Sequence, residues 1–100
     1  MKTSKSLKIR DLSFKYISNL RPGLGLVVSK KYGDSVQRNL FKRRCRSLFK
    51  TTVIDNKILC SVVVRPNKQN VSLKSINESF ALLYDLIRKI RYRLINELII

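Results

Sequence analysis

The sequence lacks the residue types from which most protein active sites are built. Among its 100 residues there is no His, and there are only two Cys and six Asp or Glu. Without His, the side chain that most often transfers protons near neutral pH is missing. The six acids form no pair at helical or strand spacing, and two Cys without His make neither a zinc site nor an activated nucleophile. We therefore expect neither catalytic residues nor a metal site in this chain.

Long apolar segments are also absent. The longest apolar run covers residues 58–64, which is far shorter than the ~20 residues that a membrane-spanning helix needs. The basic start of the sequence is not followed by an apolar run of signal-peptide length. Cys45 and Cys60 lie within apolar patterns, as reduced buried thiols do. These features predict a cytoplasmic protein.

Positive charge is what the sequence has in excess. Lys and Arg number 22 against six Asp and Glu, which gives a formal net charge of +16. A small domain with this much self-repulsion normally binds an anionic partner, of which nucleic acid is the most common and an acidic membrane surface the next. Because 44% of the residues are hydrophobic, the chain is expected to fold as a single domain over residues 1–100. Residues 1–10 are predicted to form a loose basic arm.

Three segments have the hydrophobic pattern of strands. Apolar residues alternate with polar ones over residues 12–17, and residues 24–29 end in β-branched side chains. Residues 58–65 are almost continuously apolar, which predicts a strand covered on both faces. A turn is predicted at residues 19–23 and a loop at residues 51–57.

Two segments have the pattern of helices. The first starts at a cap, Asp34 or Ser35, and runs to about Lys50. The second opens with Ser75 and Glu78, which form a possible capping box. Its apolar stripe consists of Ile76, Phe80, Leu83, Ile87, Ile90 and Leu94. The order of elements predicts a small α/β domain of the two-layer α+β type, in which two helices pack against one mixed sheet.

The first predicted helix carries most of the functional signal. Residues 28–50 contain eight Lys or Arg and one acid. On a wheel of about 100° per residue, one arc is apolar and consists of Phe41, Cys45, Leu48 and Phe49. The neighbouring arc is polar and consists of Arg38, Asn39, Lys42, Arg43, Arg46 and Lys50. Such a helix can pack on a core with one face and present an ordered row of cations to a polyanion.

The string VSKKYGDSVQRNLFKRRCRSLFK closely resembles the signature of the protein subunit of bacterial ribonuclease P. In that family a strand ends in V-S-K-K, a Gly follows, and a helix opens with R-N and continues K-R-x-x-R to an aromatic residue. The resemblance is specific over residues 24–50 and looser through the last helix. The matching helix residues are Arg38, Asn39, Lys42, Arg43, Arg46 and Phe49.

The resemblance implies a ribonucleoprotein endonuclease that removes the 5′ leader from precursor tRNA. A large RNA would carry the active site, and Mg²⁺ would be held by that RNA and the substrate rather than by the protein. The residues implied to bind the catalytic RNA are Lys30, Lys31, Arg38, Asn39, Lys42, Arg43, Arg46 and Lys50. A cleft between sheet and helix would bind the leader, and its candidate residues are Phe14, Tyr16, Ser29 and Arg38. The family also implies a left-handed βαβ crossover, against the right-handed norm.

The sequence departs from the family pattern at two places. The residue after R-N is usually basic, whereas here it is Leu40. The family also tends to begin with an extra helix whose Phe residues form one wall of the leader cleft, whereas here only about ten residues precede the first predicted strand. Leader recognition is therefore the part of the family's role that the sequence supports least.

Two other functions fit parts of the pattern. A structural RNA-binding protein of the ribosomal type would have the same basic composition. A membrane-surface protein could use the basic, amphipathic last helix, although the apolar stripe of that helix is needed for the core.

Overall fold

The computed structural model describes residues 5–18 and 21–99, with the backbone alone at residues 5, 18 and 90–99. Within these residues there are four strands: β1 (Lys5–Ile9), β2 (Leu12–Ser18), β3 (Gly23–Leu26) and β4 (Cys60–Pro66). There are two α-helices, α1 (Ser35–Phe49) and α2 (Leu73–Ile99). A short 3-10 turn, Lys30–Tyr32, precedes α1, and a π-helical turn, Lys50–Ile54, follows it.

The four strands form one mixed sheet in the order β1-β2-β4-β3. β2 pairs antiparallel with both β1 and β4, and β3 pairs parallel with β4. The parallel neighbours β3 and β4 are connected through α1, which makes a βαβ unit. The predicted two-layer α+β fold is thereby confirmed, and the handedness of the crossover stays a prediction.

Both helices pack on the same face of the sheet. Alternate residues of β2 and β4 point into this layer and are buried, as are the apolar side chains of the helices. The Phe14 ring meets the edge of Phe80 in α2, with centroids 5.3 Å apart and ring planes at 87°. The buried residues of α1 are the predicted Phe41, Cys45 and Phe49, whereas Leu48 is half-buried at the margin. In α2 the predicted stripe is buried from Ile76 to Ile87; Ile90 and Leu94 lie outside the described side chains.

The described helices cover one face of β4, whereas the sequence predicted a strand covered on both faces. Cys60, Val62 and Val64 are buried, but Val63 is 38% exposed and Arg65 is exposed. The physical reason is that both helices lie on one side of the sheet, so none of the described elements covers the other side of β4. On this uncovered side, Val63 of β4 lies beside Gly25 of β3, at which an added Cβ would be 3.3 Å from a Val63 methyl group.

The N-terminal segment forms a strand where a loose basic arm was predicted. Lys5–Ile9 pair along β2, with Leu7 opposite Phe14 and Ile9 opposite Leu12. Ile9 is buried, while Lys8 points to the exposed side. The segment is ordered because its two apolar side chains extend the covered face of the sheet. The predicted arm over residues 1–4 lies outside the described residues, as do two residues of the predicted turn at 19–23.

Several element ends also differ from the prediction. α2 begins at Leu73, because Ser72 rather than Ser75 caps it: the Ser72 Oγ accepts from the Ser75 N–H at 3.1 Å. The Ser75 Oγ instead donates to an Asp11 Oδ at 2.7 Å. β3 ends at Leu26, three residues earlier than predicted. The predicted loop after α1 starts as a π-helical turn, which buries Val53.

Candidate nucleic-acid interface

The start of α1 is fixed by a capping box. The Asp34 side chain accepts from the Gln37 N–H at 2.8 Å, and the Gln37 side chain accepts from the Asp34 N–H at 2.9 Å. This reciprocal pair satisfies N–H groups that the first turn of a helix otherwise leaves without a partner. Asp34 is the one acid in residues 28–50, and its carboxylate is used in this cap. Asp34 therefore caps the start of the helix and does not form an ion pair with a cation of α1.

Two further contacts anchor the segment before α1. An Arg38 Nη donates to the Gly33 carbonyl at 2.9 Å, so this half-buried side chain braces the turn into the helix. The buried Tyr32 ring lies 5.1 Å from Phe41, and its hydroxyl accepts from the Val71 N–H at 3.1 Å. Burial raises the pKa of Tyr32, which keeps the hydroxyl protonated. These contacts hold Lys30–Tyr32 in a fixed position beside the helix.

The polar arc predicted for α1 lies on the molecular surface. Asn39, Arg43, Arg46 and Lys50 are exposed, and Lys42 is half-buried. Lys30 and Lys31, in the preceding turn, are also exposed. Among the described side chains, the ion pairs are made by Arg10, Lys68 and Arg88, and so the cations of α1 have no acidic partner there. Apart from Arg38, which is half-buried and donates to Gly33, the predicted RNA-binding residues lie at the surface, and their described cations have no acidic partner.

Grooves flank this surface on both sides. One, of about 500 Å³, lies between α1 and β3; the cations Lys42 and Arg46 line it together with Phe49, Gly23 and Ile54. The other, of about 570 Å³, is lined by Val36, Asn39, Leu40, Arg43 and Arg46. Because Arg46 lines both grooves, a polyanion that crosses α1 would meet cations on either side of the helix.

A third groove, of about 330 Å³, lies where β3 and β4 end. It is lined by Ser29, which was predicted to lie in a leader cleft, and by the cations Lys31, Arg65 and Lys68. The Lys68 Nζ lies 3.5 Å from an Asp11 Oδ, which leaves Lys31 and Arg65 as the cations of this groove without a described ion pair. Sequence reasoning missed Arg65, and the only signal for it was its position at the end of an apolar run.

Two of the predicted leader-cleft residues are wrong. Phe14 is 1% exposed and Tyr16 is 7% exposed, both on the helix-covered face of the sheet. A ring enclosed in this way offers no face to a nucleotide. Arg38 does not line the groove that contains Ser29, and its guanidinium instead holds Gly33.

The described residues keep their acidic side chains apart and bury both thiols. They contain no group of three or more His, Cys, Asp or Glu side chains close enough to hold an ion. Glu78 pairs with Arg10, and the hydrogen bond from Ser75, together with Lys68, lowers the pKa of Asp11. Burial raises the pKa of the Cys45 thiol to about 12, so this thiol stays protonated near neutral pH. In the part of the chain that the structure describes, no helix has the length and apolarity to span a membrane.

Comparison with known proteins agrees with this geometry. The family model described as Ribonuclease P matches residues 1–88. The structure is similar to the ribonuclease P protein of Thermotoga maritima, at 26% identity and a TM-score of 0.66, covering 81% of each chain. It is also similar in fold to the ribonuclease P protein of Staphylococcus aureus, at 23% identity and a TM-score of 0.69, covering 83% of this chain and 80% of that one. No curated protein sequence matches. Since the family model matches most of its length, the chain belongs to the ribonuclease P protein family.

Proposed function

We propose that this chain is the protein subunit that binds the catalytic RNA of ribonuclease P through α1 and assists removal of the 5′ leader from precursor tRNA. The observation that carries the proposal is the surface of uncompensated cations on α1 above a buried seam of Phe41, Cys45 and Phe49. Burial of the seam holds the helix in place, so that its cations are ordered before RNA binds. An ordered row of cations loses less conformational entropy on binding than a flexible tail.

Each exposed cation of this surface can neutralise one phosphate and release its counterions. Lys30 and Lys31 extend the surface towards the groove at the ends of β3 and β4. Asn39 supplies an amide that can both donate and accept a hydrogen bond beside a phosphate or a base edge. Arg38 acts mainly as a positioning residue, because it braces the turn that carries these lysines.

We place the leader of the precursor in the groove of Ser29, Lys31 and Arg65. A leader is single-stranded, so its phosphates are available to Lys31 and Arg65, and its sugars and bases to the Ser29 hydroxyl. Lys31, which lines this groove, belongs to the turn that precedes α1, and Ser29 lies directly before that turn. Leader and catalytic RNA would therefore bind on adjoining surfaces.

Chemistry belongs to the RNA in this proposal. Mg²⁺, bound by RNA and substrate, would activate the attacking water and stabilise charge on the phosphate. This chain's residues contribute binding and charge neutralisation, since its described carboxylates are engaged or isolated and its thiols are buried. A cytoplasmic location is part of the same proposal.

Reconstitution tests the proposed function directly. The purified chain alone should not cleave a precursor tRNA at any Mg²⁺ concentration. Added to a bacterial ribonuclease P RNA transcribed in vitro, it should increase cleavage at low Mg²⁺, because its cations replace part of the counterion requirement of the RNA. Cleavage by RNA-free protein purified to constant specific activity would contradict this division of labour. Failure to stimulate the RNA, with co-purification on ribosomal particles instead, would favour a structural RNA-binding role.

A second experiment tests the leader groove. Arg65→Ala should lower the ratio of precursor to mature tRNA affinity by about tenfold, because only the precursor has leader phosphates for this guanidinium. The matched control is Arg88→Ala, which removes an exposed Arg from α2. Fluorescence titration of the holoenzyme with both tRNAs gives the ratio. An unchanged ratio in Arg65→Ala would place the leader elsewhere.

A further inference from the structure

An exposed apolar pair interrupts the basic surface of α1. Val36 is 73% exposed, and Leu40, one turn later, is half-buried. Residues four apart are neighbours on a helix, so the two side chains form one apolar patch. The patch lies roughly opposite the seam that α1 buries, and therefore it is not part of the core.

The patch forms the apolar part of a groove with polar margins. Val36 and Leu40 line this groove, of about 570 Å³, together with Asn39, Arg43 and Arg46. Phosphate binding alone does not explain the arrangement, since a phosphate gains nothing from contact with Val or Leu. The groove instead combines an apolar surface, an amide that both donates and accepts, and two guanidinium groups.

We propose that this groove binds an unpaired base of the ribonuclease P RNA, with Val36 and Leu40 against the face of the base. An unpaired base has an apolar face and a hydrogen-bonding edge. Asn39 would contact that edge, and Arg43 would contact the adjoining phosphate or stack on the ring. The inference rests on the proposed function and adds to it a site where α1 contacts a base rather than the phosphate backbone alone.

The surrounding charge favours RNA over other occupants of the groove. A second copy of this chain would bring another +16 of net charge to a surface that already carries uncompensated arginines. A neutral protein surface would leave Arg43 and Arg46 without a partner at the margin. A nucleotide supplies both the apolar face and the anion within one residue.

The salt dependence of binding distinguishes a base contact from a phosphate contact. The probe is an in vitro transcribed bacterial ribonuclease P RNA, titrated with the full chain over a series of monovalent salt concentrations. Leu40→Ala and Val36→Ala should each weaken binding by about three- to tenfold at every salt concentration. The slope of log affinity against log salt should stay unchanged, because an apolar contact releases no counterions. Leu40→Lys should make the slope of log affinity against log salt steeper by about one phosphate contact, and it should weaken binding at high salt.

Chemical probing supplies a second readout. Wild-type protein should protect one base of the RNA from modification at its edge. In the complex with Leu40→Ala at saturating protein, that base should become reactive while protection elsewhere is retained. The control is Leu59→Ala, which truncates another exposed apolar residue (56% exposed) just before β4, and which should match wild type in both assays.

The outcomes separate this inference from the proposed function. If Val36→Ala and Leu40→Ala bind like wild type while Arg43→Ala binds more weakly, the apolar pair makes no contact with a base and the inference is overturned. If Arg43→Ala also binds like wild type, α1 is not the RNA interface and the proposed function fails. A flatter salt dependence in Leu40→Ala would mean that the cations had been displaced, which also contradicts a base contact. Val36→Ala keeps the test valid if Leu40→Ala proves unstable, because the Val36 side chain is 73% exposed and its truncation removes little buried surface.

Discussion

Replacing Phe14 with Ala should lower the free energy of unfolding by about 3 to 5 kcal/mol, the usual range for a buried Phe. The side chain is 1% exposed and packs edge-on against Phe80 of α2, so truncation leaves a cavity between sheet and helix. Small domains are stable by only about 5 to 15 kcal/mol, and the variant should therefore be close to unfolding. Urea denaturation should show a lower midpoint with an unchanged slope.

The neighbouring residue provides a matched control for this prediction. Lys15 follows Phe14 in β2, points to the opposite face of the sheet and is exposed. Lys15→Ala should change the free energy of unfolding by no more than about 0.5 kcal/mol. At a temperature where Phe14→Ala is still folded, its ratio of precursor to mature tRNA affinity should equal that of wild type. A reduced ratio with unchanged stability would mean that the ring contacts the leader rather than the core.

Phe14 was predicted to line the leader cleft and is instead buried, because the local sequence pattern does not show where the helices pack. Alternation in β2 correctly places Leu12, Phe14 and Tyr16 on one face of a strand. It does not say which face the helices cover, because that depends on the strand order and on the path of the βαβ unit. The same limit applies to β4. Its almost continuous apolar run predicted a strand covered on both faces, whereas Val63 is partly exposed.

Features set by contacts within a few residues were predicted well. Asp34, one of the two caps that the sequence predicted, and the buried seam of Phe41, Cys45 and Phe49 follow from capping chemistry and helical periodicity over 15 residues. β1 was missed because its five residues include two Lys, and its order depends on pairing with β2 and on contact with α2, where the Ser79 Oγ donates to the Ile9 carbonyl.

The groove at the ends of β3 and β4 contains Ser29, which the sequence named as a leader-cleft candidate, and Arg65, which comes from β4 and is distant in sequence. Leader binding in this groove stays a proposal. The exposed cations of α1 were predicted together because helical periodicity places them on one arc, but Arg38, which was assigned to the same arc, is half-buried and donates to Gly33.

The double replacement Arg43→Ala, Arg46→Ala should weaken binding to ribonuclease P RNA by about one to two powers of ten at moderate salt. Both side chains are exposed, and in the part of the chain that the structure describes neither makes an ion pair or contributes to the cap of α1. Their removal should therefore leave the fold intact, with a thermal melt like that of wild type. The slope of log affinity against log salt should fall by roughly two contacts.

Comparison with a variant in α2 tests whether RNA binding depends on the position of the cations or on their number. Arg88→Ala removes an exposed Arg from α2, where its guanidinium lies 3.7 Å from Asp85; an exposed pair of this kind contributes little to stability. This control should change the salt dependence much less than either single replacement in α1. If Arg88→Ala, Arg43→Ala and Arg46→Ala lower affinity equally, the RNA responds to net charge alone. In that case α1 would not be a defined docking surface, whereas unequal effects with normal folding in all three variants would locate the RNA on this helix.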